Sequence, residues 1–241
     1  MRYAVISDVH GNLEALRAVL DDIRTKNTDG IIFLGDAVGY GPNPNECVEL
    51  LKESCRVLLA GNHDRAAIGL TEIEYFNEYA KAAVLWTRKV LTDRNRKLLE
   101  SLPVTGRMKK ENMLFVHSTP KEPEEWHYLL TLWDAEINFH YFSERICVLG
   151  HSHLPFVIER LPSGEMVTYK DKAELRENQR YLINAGSVGQ PRDRDPRACY
   201  LLKDGQRAEF IRVGYPVEET QRKMRDAGLP LPLIERLARG T

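Results

Sequence analysis

The residues of this sequence that are best suited to chemistry are aspartate, asparagine and histidine, and they follow short apolar runs. The runs and the polar residues after them are Tyr3–Ser7 with Asp8 and His10, Gly30–Leu34 with Asp36, Arg56–Ala60 with Asn62, His63 and Asp64, Asn112–Val116 with His117, and Arg145–Leu149 with His151 and His153. Each residue alone has an ordinary structural interpretation, such as a turn or a helix cap. Five of the seven histidines belong to this set, however, so we predict that the set forms one shared metal site.

The predicted ligands offer nitrogen and oxygen donors without thiolate, which suits manganese, iron, zinc, cobalt or nickel. The set holds more donors than one tetrahedral ion can use, whereas two ions that share a carboxylate would use it fully. Two such ions can clamp the attacking and leaving oxygens of a phosphoryl displacement. Two divalent ions together with the negative charges of Asp8, Asp36 and one hydroxide would give the site a net charge of about +1, which attracts phosphate.

The elements that must position these residues are strands and helices in alternation. The five apolar runs are rich in Val, Ile, Leu and Phe, as is typical of strands buried on both faces, and amphipathic segments lie between them. This alternation predicts an α/β core with largely parallel pairing. Because open α/β sheets bind ligands beyond the carboxyl ends of their strands, the polar residues can converge there.

The back half of the sequence predicts antiparallel hairpins. Turn residues separate Phe156–Leu161 from Glu165–Tyr169, and Asp-Gly separates Ala198–Lys203 from Arg207–Val213. We expect one domain over residues 1–213, with a helical, cap-like insertion at about 71–100. Residues 214–241 are expected to form a helical tail that packs on this domain or on a partner subunit.

Composition narrows the function classes. Lys plus Arg number 34 and Asp plus Glu number 35, so no global field favours a polyanion and no stable nucleic-acid complex is expected. No apolar run approaches the length of a membrane span, and no secretion signal opens the sequence. The four cysteines lack a Cys-x-x-Cys spacing and are interpreted as buried, reduced thiols, which favours a cytoplasmic protein.

The order of the motifs resembles the calcineurin-like metallophosphoesterase superfamily. The blocks that carry the resemblance are Asp8-x-His10, Gly35-Asp36, Gly61-Asn62-His63-Asp64, His117 and Gly150-His151-x-His153. The stretch Asn184–Arg192 is similar to the small bacterial and archaeal branch, which includes YfcE-type phosphodiesterases and diadenosine tetraphosphatase-like proteins. The resemblance runs from residue 3 to about 195, and it implies an α/β (α+β) fold in which a sandwich of two β-sheets is flanked by helices.

The resemblance also implies roles for the residues. One metal would be bound by Asp8, His10, Asp36 and His153, and the other by Asp36, Asn62, His117 and His151. A metal-bridging hydroxide would attack phosphorus in line, with His63 assisting the leaving group. Asp64 would orient His63 or cap the next helix. Two divalent ions per chain are expected, with manganese favoured over iron, zinc, nickel or cobalt.

This sequence departs from the protein serine/threonine phosphatases directly after Gly35-Asp36. In those proteins the Gly-Asp motif is followed by an Asp or Asn and then by Arg-Gly, whereas this sequence has Gly39 and Tyr40 at the corresponding positions. A phosphate-binding arginine must therefore come from elsewhere, and Arg65 and Arg192 are the candidates, with solvated surface charge as the alternative. Asn12 is a further candidate for substrate binding or a helix cap, and Tyr40 for base stacking or core packing.

The resulting functional hypothesis is a dinuclear-metal phosphodiesterase acting on small nucleotide-type substrates. A phosphomonoesterase and a dinucleoside polyphosphate hydrolase are the alternatives, and a nuclease or a non-catalytic scaffold is less favoured. The scaffold is disfavoured because the predicted ligands and His63 are all present. The expected partner is a small phosphorylated substrate of the nucleotide type, and a homodimer is a further hypothesis.

Overall fold

The structure, a computed structural model, describes residues 1–241 as twelve strands and eight helices. The strands are β1 (Arg2–Ile6), β2 (Gly30–Phe33), β3 (Val57–Leu58), β4 (Thr105–Met108), β5 (Met113–Val116), β6 (Ile146–Leu149), β7 (Phe156–Arg160), β8 (Met166–Tyr169), β9 (Lys172–Glu174), β10 (Arg180–Asn184), β11 (Ala198–Asp204) and β12 (Arg207–Val213). The helices are α1 (Leu13–Arg24), α2 (Pro44–Ser54), α3 (Asn62–Ala67), α4 (Glu78–Val90), α5 (Asp93–Ser101), α6 (Leu132–Asn138), α7 (Val217–Asp226) and α8 (Leu231–Leu237).

The strands form two mixed sheets of six. The first sheet has the order β3-β2-β1-β11-β12-β9, and the second has the order β4-β5-β6-β10-β7-β8. The pairs β1–β2, β2–β3, β5–β6 and β6–β10 are parallel, and the remaining pairs are antiparallel. The expected two-sheet sandwich flanked by helices is confirmed.

One apolar core lies between the two sheets, and a larger apolar cluster covers the outer face of the first sheet. Successive side chains of β1 point to opposite faces of the sheet and so enter different clusters. Tyr3 and Val5 pack between the sheets, whereas Ala4 and Ile6 pack in the cluster that includes helix α1. A third cluster packs α6 against the second sheet. Both faces of the central strands are therefore buried, which explains their continuous apolar sequences.

All five apolar runs that precede the candidate ligands form strands, and both predicted hairpins are present. The expected parallel pairing is only partly met, because antiparallel strands complete both sheets. Strands β4, β9 and β10 were not predicted. The four cysteines are free, and no helix is long and apolar enough to cross a bilayer.

The C-terminal helices pack against the rest of this chain. Buried Met224 of α7 and Leu233 of α8 share a cluster with Tyr40 and with Ala80 and Ala83 of α4. The division of the chain at residue 213 remains a prediction, but these contacts place the tail beside the loop that follows Asp36.

We expect Met224→Ala to lower the free energy of unfolding by about 2–4 kcal/mol, because it leaves a cavity between the tail and the loop of Tyr40. The matched control is Leu231→Ala, since Leu231 is exposed and its truncation should cost less than about 0.5 kcal/mol. Urea denaturation of both variants measures the difference. Equal stability of the two variants would contradict the packing of the tail on the domain.

Candidate metal centre

The loops that follow β1, β2, β3, β5 and β6 meet at one end of the sandwich, although they come from two different sheets. Asp8 N donates to Gly35 O at 3.0 Å, and Gly150 N donates to His117 O at 2.9 Å. His151 N donates to Asp8 Oδ2 at 3.1 Å, which ties a loop of the second sheet to a loop of the first. The structure brings together and buries all the predicted ligands, which we call the His/Asp cluster: Asp8, His10, Asp36, Asn62, His117, His151 and His153.

Five members of the His/Asp cluster have a left-handed backbone. The φ angles are 55° at Asp8, 50° at His10, 61° at Asp36, 66° at His151 and 61° at His153. Non-glycine residues rarely adopt this conformation, and each instance costs on the order of 1–3 kcal/mol. Because this strain falls on the residues that face the centre, it indicates a functional constraint.

Each of the two carboxylates uses one oxygen to hold a neighbouring loop and directs the other to the centre. Asp8 Oδ2 accepts the backbone N–H of His151, and Asp36 Oδ1 accepts that of His63 at 2.9 Å. Asp8 Oδ1 is buried without a hydrogen-bond partner, and Asp36 Oδ2 lies 3.4 Å from His117 Nε2. The loops thus fix the orientation of both carboxylates.

Four histidines of the cluster are each held by a backbone carbonyl. His10 Nδ1 lies 3.1 Å from Val38 O, His117 Nδ1 3.2 Å from Leu34 O, His153 Nδ1 2.6 Å from Gln190 O, and His151 Nε2 2.9 Å from Trp126 O. Because a carbonyl oxygen only accepts, each of these nitrogens carries the proton. In the neutral rings of His10, His151 and His153 the other nitrogen then holds the lone pair that a metal ligand needs, and in His117 it does so once the second proton has left.

The lone pairs of the cluster face one another. His10 Nε2 lies 3.1 Å from His153 Nε2, and His117 Nε2 lies 3.3 Å from Asn62 Oδ1. A buried group of acceptors without a donor is unfavourable until a cation lies among them. Donor atoms lie within 4.8 Å of one another in the groups Asp8–His10–His153 and Asp36–His117–His151. The residues present therefore fit divalent cations with mixed nitrogen and oxygen ligands.

The electrostatics of the cluster favour ionised carboxylates. Burial alone would raise the pKa of Asp8, but the imidazoles of His153 and His117 outweigh it and hold that pKa below its ordinary value. Burial lowers the pKa of His151 to about 3, so this ring is neutral at pH 7. His117 differs, because Asp36 outweighs burial and raises its pKa to about 9. A bound cation would displace that proton, since ligands bind metals in their deprotonated form.

Asp64 does not orient His63, contrary to one of the two sequence interpretations. Its Oδ2 accepts the backbone N–H groups of Asp36 at 2.8 Å and Gly61 at 3.0 Å, and its Oδ1 accepts that of Val38 at 3.1 Å. Both oxygens are therefore engaged with the backbone, at the start of α3 and in the loop after β2. Asp64 is a helix cap that also holds the loop of Asp36 in place.

His63 lies between the His/Asp cluster and a neighbouring cavity. Its ring centroid is 4.8 Å from that of His10 and 4.9 Å from that of Phe76, and its buried Nδ1 has no hydrogen-bond partner. Burial lowers its pKa to about 4, so the ring is neutral at pH 7. One of its ring nitrogens also lies within 4.8 Å of donor atoms of His10 and Asp36.

The cavity beside His63 has a volume of about 330 Å³ and a largely aromatic wall. Its lining includes Tyr40, Tyr75, Phe76, Trp126 and Tyr128, together with Asn62, His63 and His151. The ring of Tyr128 stacks on that of His151 with the centroids 4.0 Å apart. The cavity therefore opens directly on the candidate ligands.

Two of the four residues proposed for substrate binding are engaged elsewhere. Asn12 is buried, and its side chain caps α1 by accepting the N–H of Ala15 and donating to Gly189 O. The guanidinium of Arg65 donates to the carbonyls of Glu100 and Leu102. The structure therefore supports the cap interpretation of Asn12 and a structural role for Arg65.

Tyr40 and Arg192, in contrast, border the His/Asp cluster. The ring centroid of Tyr40 lies 4.5 Å from that of His10 and 4.6 Å from that of His63. Arg192 Nη2 lies 3.3 Å from the Tyr40 hydroxyl and 3.0 Å from Gln190 Oε1. Their place at the edge of the site is compatible with contact to substrate.

Sequence reasoning did not find the cavity residues Tyr75 and Phe76, nor Gln190 as a partner of Arg192. The segment 71–77 carries no motif, and only the spacing of its aromatic residues could have drawn attention to it. Gln190 lies in the stretch Asn184–Arg192, but its contacts depend on the folding of this stretch against the loop after β1.

A model of the calcineurin-like phosphoesterase family matches residues 1–181. A metallophosphoesterase from Sphaerobacter thermophilus, whose crystal structure is known, is 42% identical, with a TM-score of 0.87 over 100% of this chain and 99% of that one. An uncharacterised Methanocaldococcus jannaschii protein, MJ0912, is 43% identical over 98% of this chain and 97% of its own length. A symmetrical bis(5'-nucleosyl)-tetraphosphatase of Coxiella burnetii is 29% identical over 75% of this chain, which spans 60% of that protein.

We expect Gly61→Ala to abolish stable metal binding while the chain stays folded. A Cβ at position 61 would lie 2.1 Å from Asp36 Oδ1 and 2.6 Å from Asp36 N, so the backbone of this loop must shift and the carboxylate must leave its hydrogen bond to His63 N. Metal content after dialysis, measured by plasma mass spectrometry, tests this expectation. Gly214→Ala is the matched control, because nothing lies within 4 Å of its Cβ position. Full metal content in Gly61→Ala would show that Asp36 does not need this orientation.

Proposed function

Because this chain belongs to the calcineurin-like phosphoesterase family, we propose that it is a phosphodiesterase that acts on nucleotide-type substrates with two divalent ions. Metal-dependent hydrolysis of phosphoesters is the activity that is common to this family. The observation that carries the proposal is the arrangement of the His/Asp cluster, in which the group Asp8–His10–His153 and the group Asp36–His117–His151 lie side by side.

In the proposed mechanism each residue keeps the position that its backbone partner imposes. One ion would be held by Asp8, His10, Asp36 and His153, and the other by Asp36, Asn62, His117 and His151. When bound, such ions neutralise phosphate charge and activate water. Asp36 is proposed as the shared ligand because its Oδ2 lies 3.6 Å from His10 Nε2 and 3.4 Å from His117 Nε2.

We assign His63 to the leaving oxygen of the substrate. It borders both the cluster and the cavity, and its neutral ring can donate a hydrogen bond there. Asp36 holds the backbone N–H of His63, but no carboxylate is hydrogen-bonded to the His63 ring, and Asp64 is engaged with the backbone. Because its ring is neutral, His63 would stabilise the leaving oxygen by a hydrogen bond, and the proton that this oxygen takes up would come from water, relayed through the ring as its other nitrogen gains a proton.

The aromatic wall of the cavity supports a nucleoside as one part of the substrate. Bases stack on exposed aromatic rings with about 1–3 kcal/mol each, largely without regard to base identity. Trp126, Tyr128 and Tyr75 provide such rings beside the cluster. Glu72 and Glu125, which also line the cavity, could accept hydrogen bonds from amino groups of a base.

A dinucleoside polyphosphate is the second candidate substrate, and the relative named as a symmetrical bis(5'-nucleosyl)-tetraphosphatase favours it. We further propose manganese as the ion, because the donor set of nitrogen and oxygen without thiolate accepts it. A cytoplasmic location is proposed because all four cysteines are free. The tail packs on its own chain, so its apolar side does not require a homodimer.

The first test is hydrolysis of bis-p-nitrophenyl phosphate and of p-nitrophenyl phosphate by metal-stripped protein, with and without restored Mn²⁺. We expect Mn²⁺-dependent release from the diester, and Asp36→Asn should reduce it by at least about a hundredfold because the shared ligand is weakened. His140→Gln is the matched control, since His140 is exposed and paired with Glu136. Wild-type turnover in Asp36→Asn would refute the assignment of Asp36, and release from the monoester alone would replace the phosphodiesterase by a phosphatase.

The second test concerns the aromatic cavity. Trp126→Ala should raise the KM for thymidine 5'-(p-nitrophenyl phosphate) roughly tenfold through lost stacking, while the KM for methyl p-nitrophenyl phosphate changes much less. Trp133→Ala is the control, because Trp133 is exposed on α6. An equal change in KM for both substrates would show that the cavity does not bind the nucleoside.

A further inference from the structure

Two arginines from distant parts of the sequence meet at the edge of the His/Asp cluster. Arg192 Nη2 lies 3.0 Å from Gln190 Oε1, and Arg236 Nη1 of helix α8 lies 3.4 Å from the same oxygen. Both side chains are half-buried, and neither forms a salt bridge. Two positive charges therefore share one neutral acceptor.

This arrangement differs from that of the other partly buried arginines. Arg180 donates to the carbonyls of Phe139, Phe142 and Glu144, and Arg65 donates to two carbonyls. Arg192 contacts the Gln190 oxygen and the hydroxyls of Tyr40 and Tyr128, all of them neutral, and its buried Nε has no partner. The two guanidiniums at this place thus have neutral side-chain oxygens as their only acceptors.

A further donor without a partner lies between the two arginines. The Nε2 atom of Gln190 is buried and unpaired, and no carboxylate of the chain forms an ion pair with either guanidinium. Like charges in this proximity repel each other, and burial together with the Arg192 charge lowers the pKa of Arg236. The missing component is an acceptor that carries negative charge.

The tail holds this group of donors against the cluster. Arg194 N donates to Gly240 O at 2.7 Å, which ties the end of the chain to the loop that carries Arg192. On its other side, the carbonyl of Gln190 accepts from His153 Nδ1 at 2.6 Å. Gln190 therefore contacts both arginines through its side chain and the candidate metal ligand His153 through its backbone carbonyl.

We propose that Arg192 and Arg236, with Gln190 between them, form an anion subsite that binds a phosphate group of the substrate other than the one that is hydrolysed. Guanidinium groups bind phosphate through paired, charge-assisted hydrogen bonds, which is the chemistry that this place lacks. The substrate would be a nucleotide with more than one phosphate. This inference rests on the proposed function and narrows its substrate class.

The test compares AMP with its α,β-methylene diphosphate analogue as competitive inhibitors of bis-p-nitrophenyl phosphate hydrolysis, at constant free Mn²⁺. The two ligands differ by one phosphate group, so the change in the ratio of their inhibition constants between the wild type and the arginine variants reports on the subsite. In the wild type the diphosphate should bind at least about tenfold more tightly than AMP. Arg236→Gln should remove most of this preference, and Arg236→Lys should retain part of it.

Arg239→Gln is the matched control, because Arg239 lies just beyond α8 and is exposed and paired with Glu235. Its ratio should equal that of the wild type. The subsite is refuted if the wild type does not prefer the diphosphate or if Arg236→Gln keeps the preference. It is also refuted if Arg236→Gln and the control Arg239→Gln lose the preference equally. Orthophosphate is tested as an inhibitor in the same assay. The subsite is refuted as well if Arg236→Gln changes the inhibition constant of orthophosphate but not the ratio for the two nucleotides, because the site would then bind the free ion.

Calorimetric titration of the same two nucleotides into the Mn²⁺-loaded protein separates this inference from the proposed function. If bis-p-nitrophenyl phosphate is not hydrolysed, the phosphodiesterase proposal fails, and the binding ratio still decides the subsite. Circular dichroism of Arg236→Gln shows whether the variant is folded, and Arg236→Lys provides the answer if it is not.

Discussion

The structure depends on one constraint: hydrogen-bond acceptors are crowded into a buried cluster in which the imidazolium of His117 is the one charged donor. Asp8 Oδ1, Asp36 Oδ2 and the Nε2 atoms of His10, His117 and His153 all face the same small volume. Such an arrangement is unfavourable in itself. It persists because every one of these side chains is fixed from behind by the backbone, and cations would turn the repulsion into attraction.

The backbone fixes these groups at a conformational cost. Left-handed φ angles at Asp8, Asp36 and His151 turn the loops sharply after their strands and aim the side chains inwards. The two sheets and their buried faces supply the stability that offsets this strain. Asp64 contributes at one of these turns, since its carboxylate accepts three N–H groups at the junction of two loops.

The surroundings of the cluster divide into an apolar and a basic side. On one side the aromatic cavity, with Trp126 and Tyr128, has two carboxylates and no arginine in its lining. On the other side Arg192 and Arg236 concentrate positive charge without a counter-ion. A nucleoside and an additional phosphate have the complementary properties, so the two proposals describe two ends of one substrate.

The sequence by itself determined the candidate ligands and the strands that carry them. Apolar periodicity and the polar residues after each run are local features, and Asp8, Asp36 and His117 could be identified from them because a strand end fixes where the next residue lies. The motif order also indicated the two-sheet sandwich. Only the tertiary structure decided how other residues are used: Arg65 binds carbonyls, Asp64 holds a loop, and Arg236 lies against Gln190 beside Arg192. These outcomes depend on contacts between segments far apart in the chain, which no local pattern encodes.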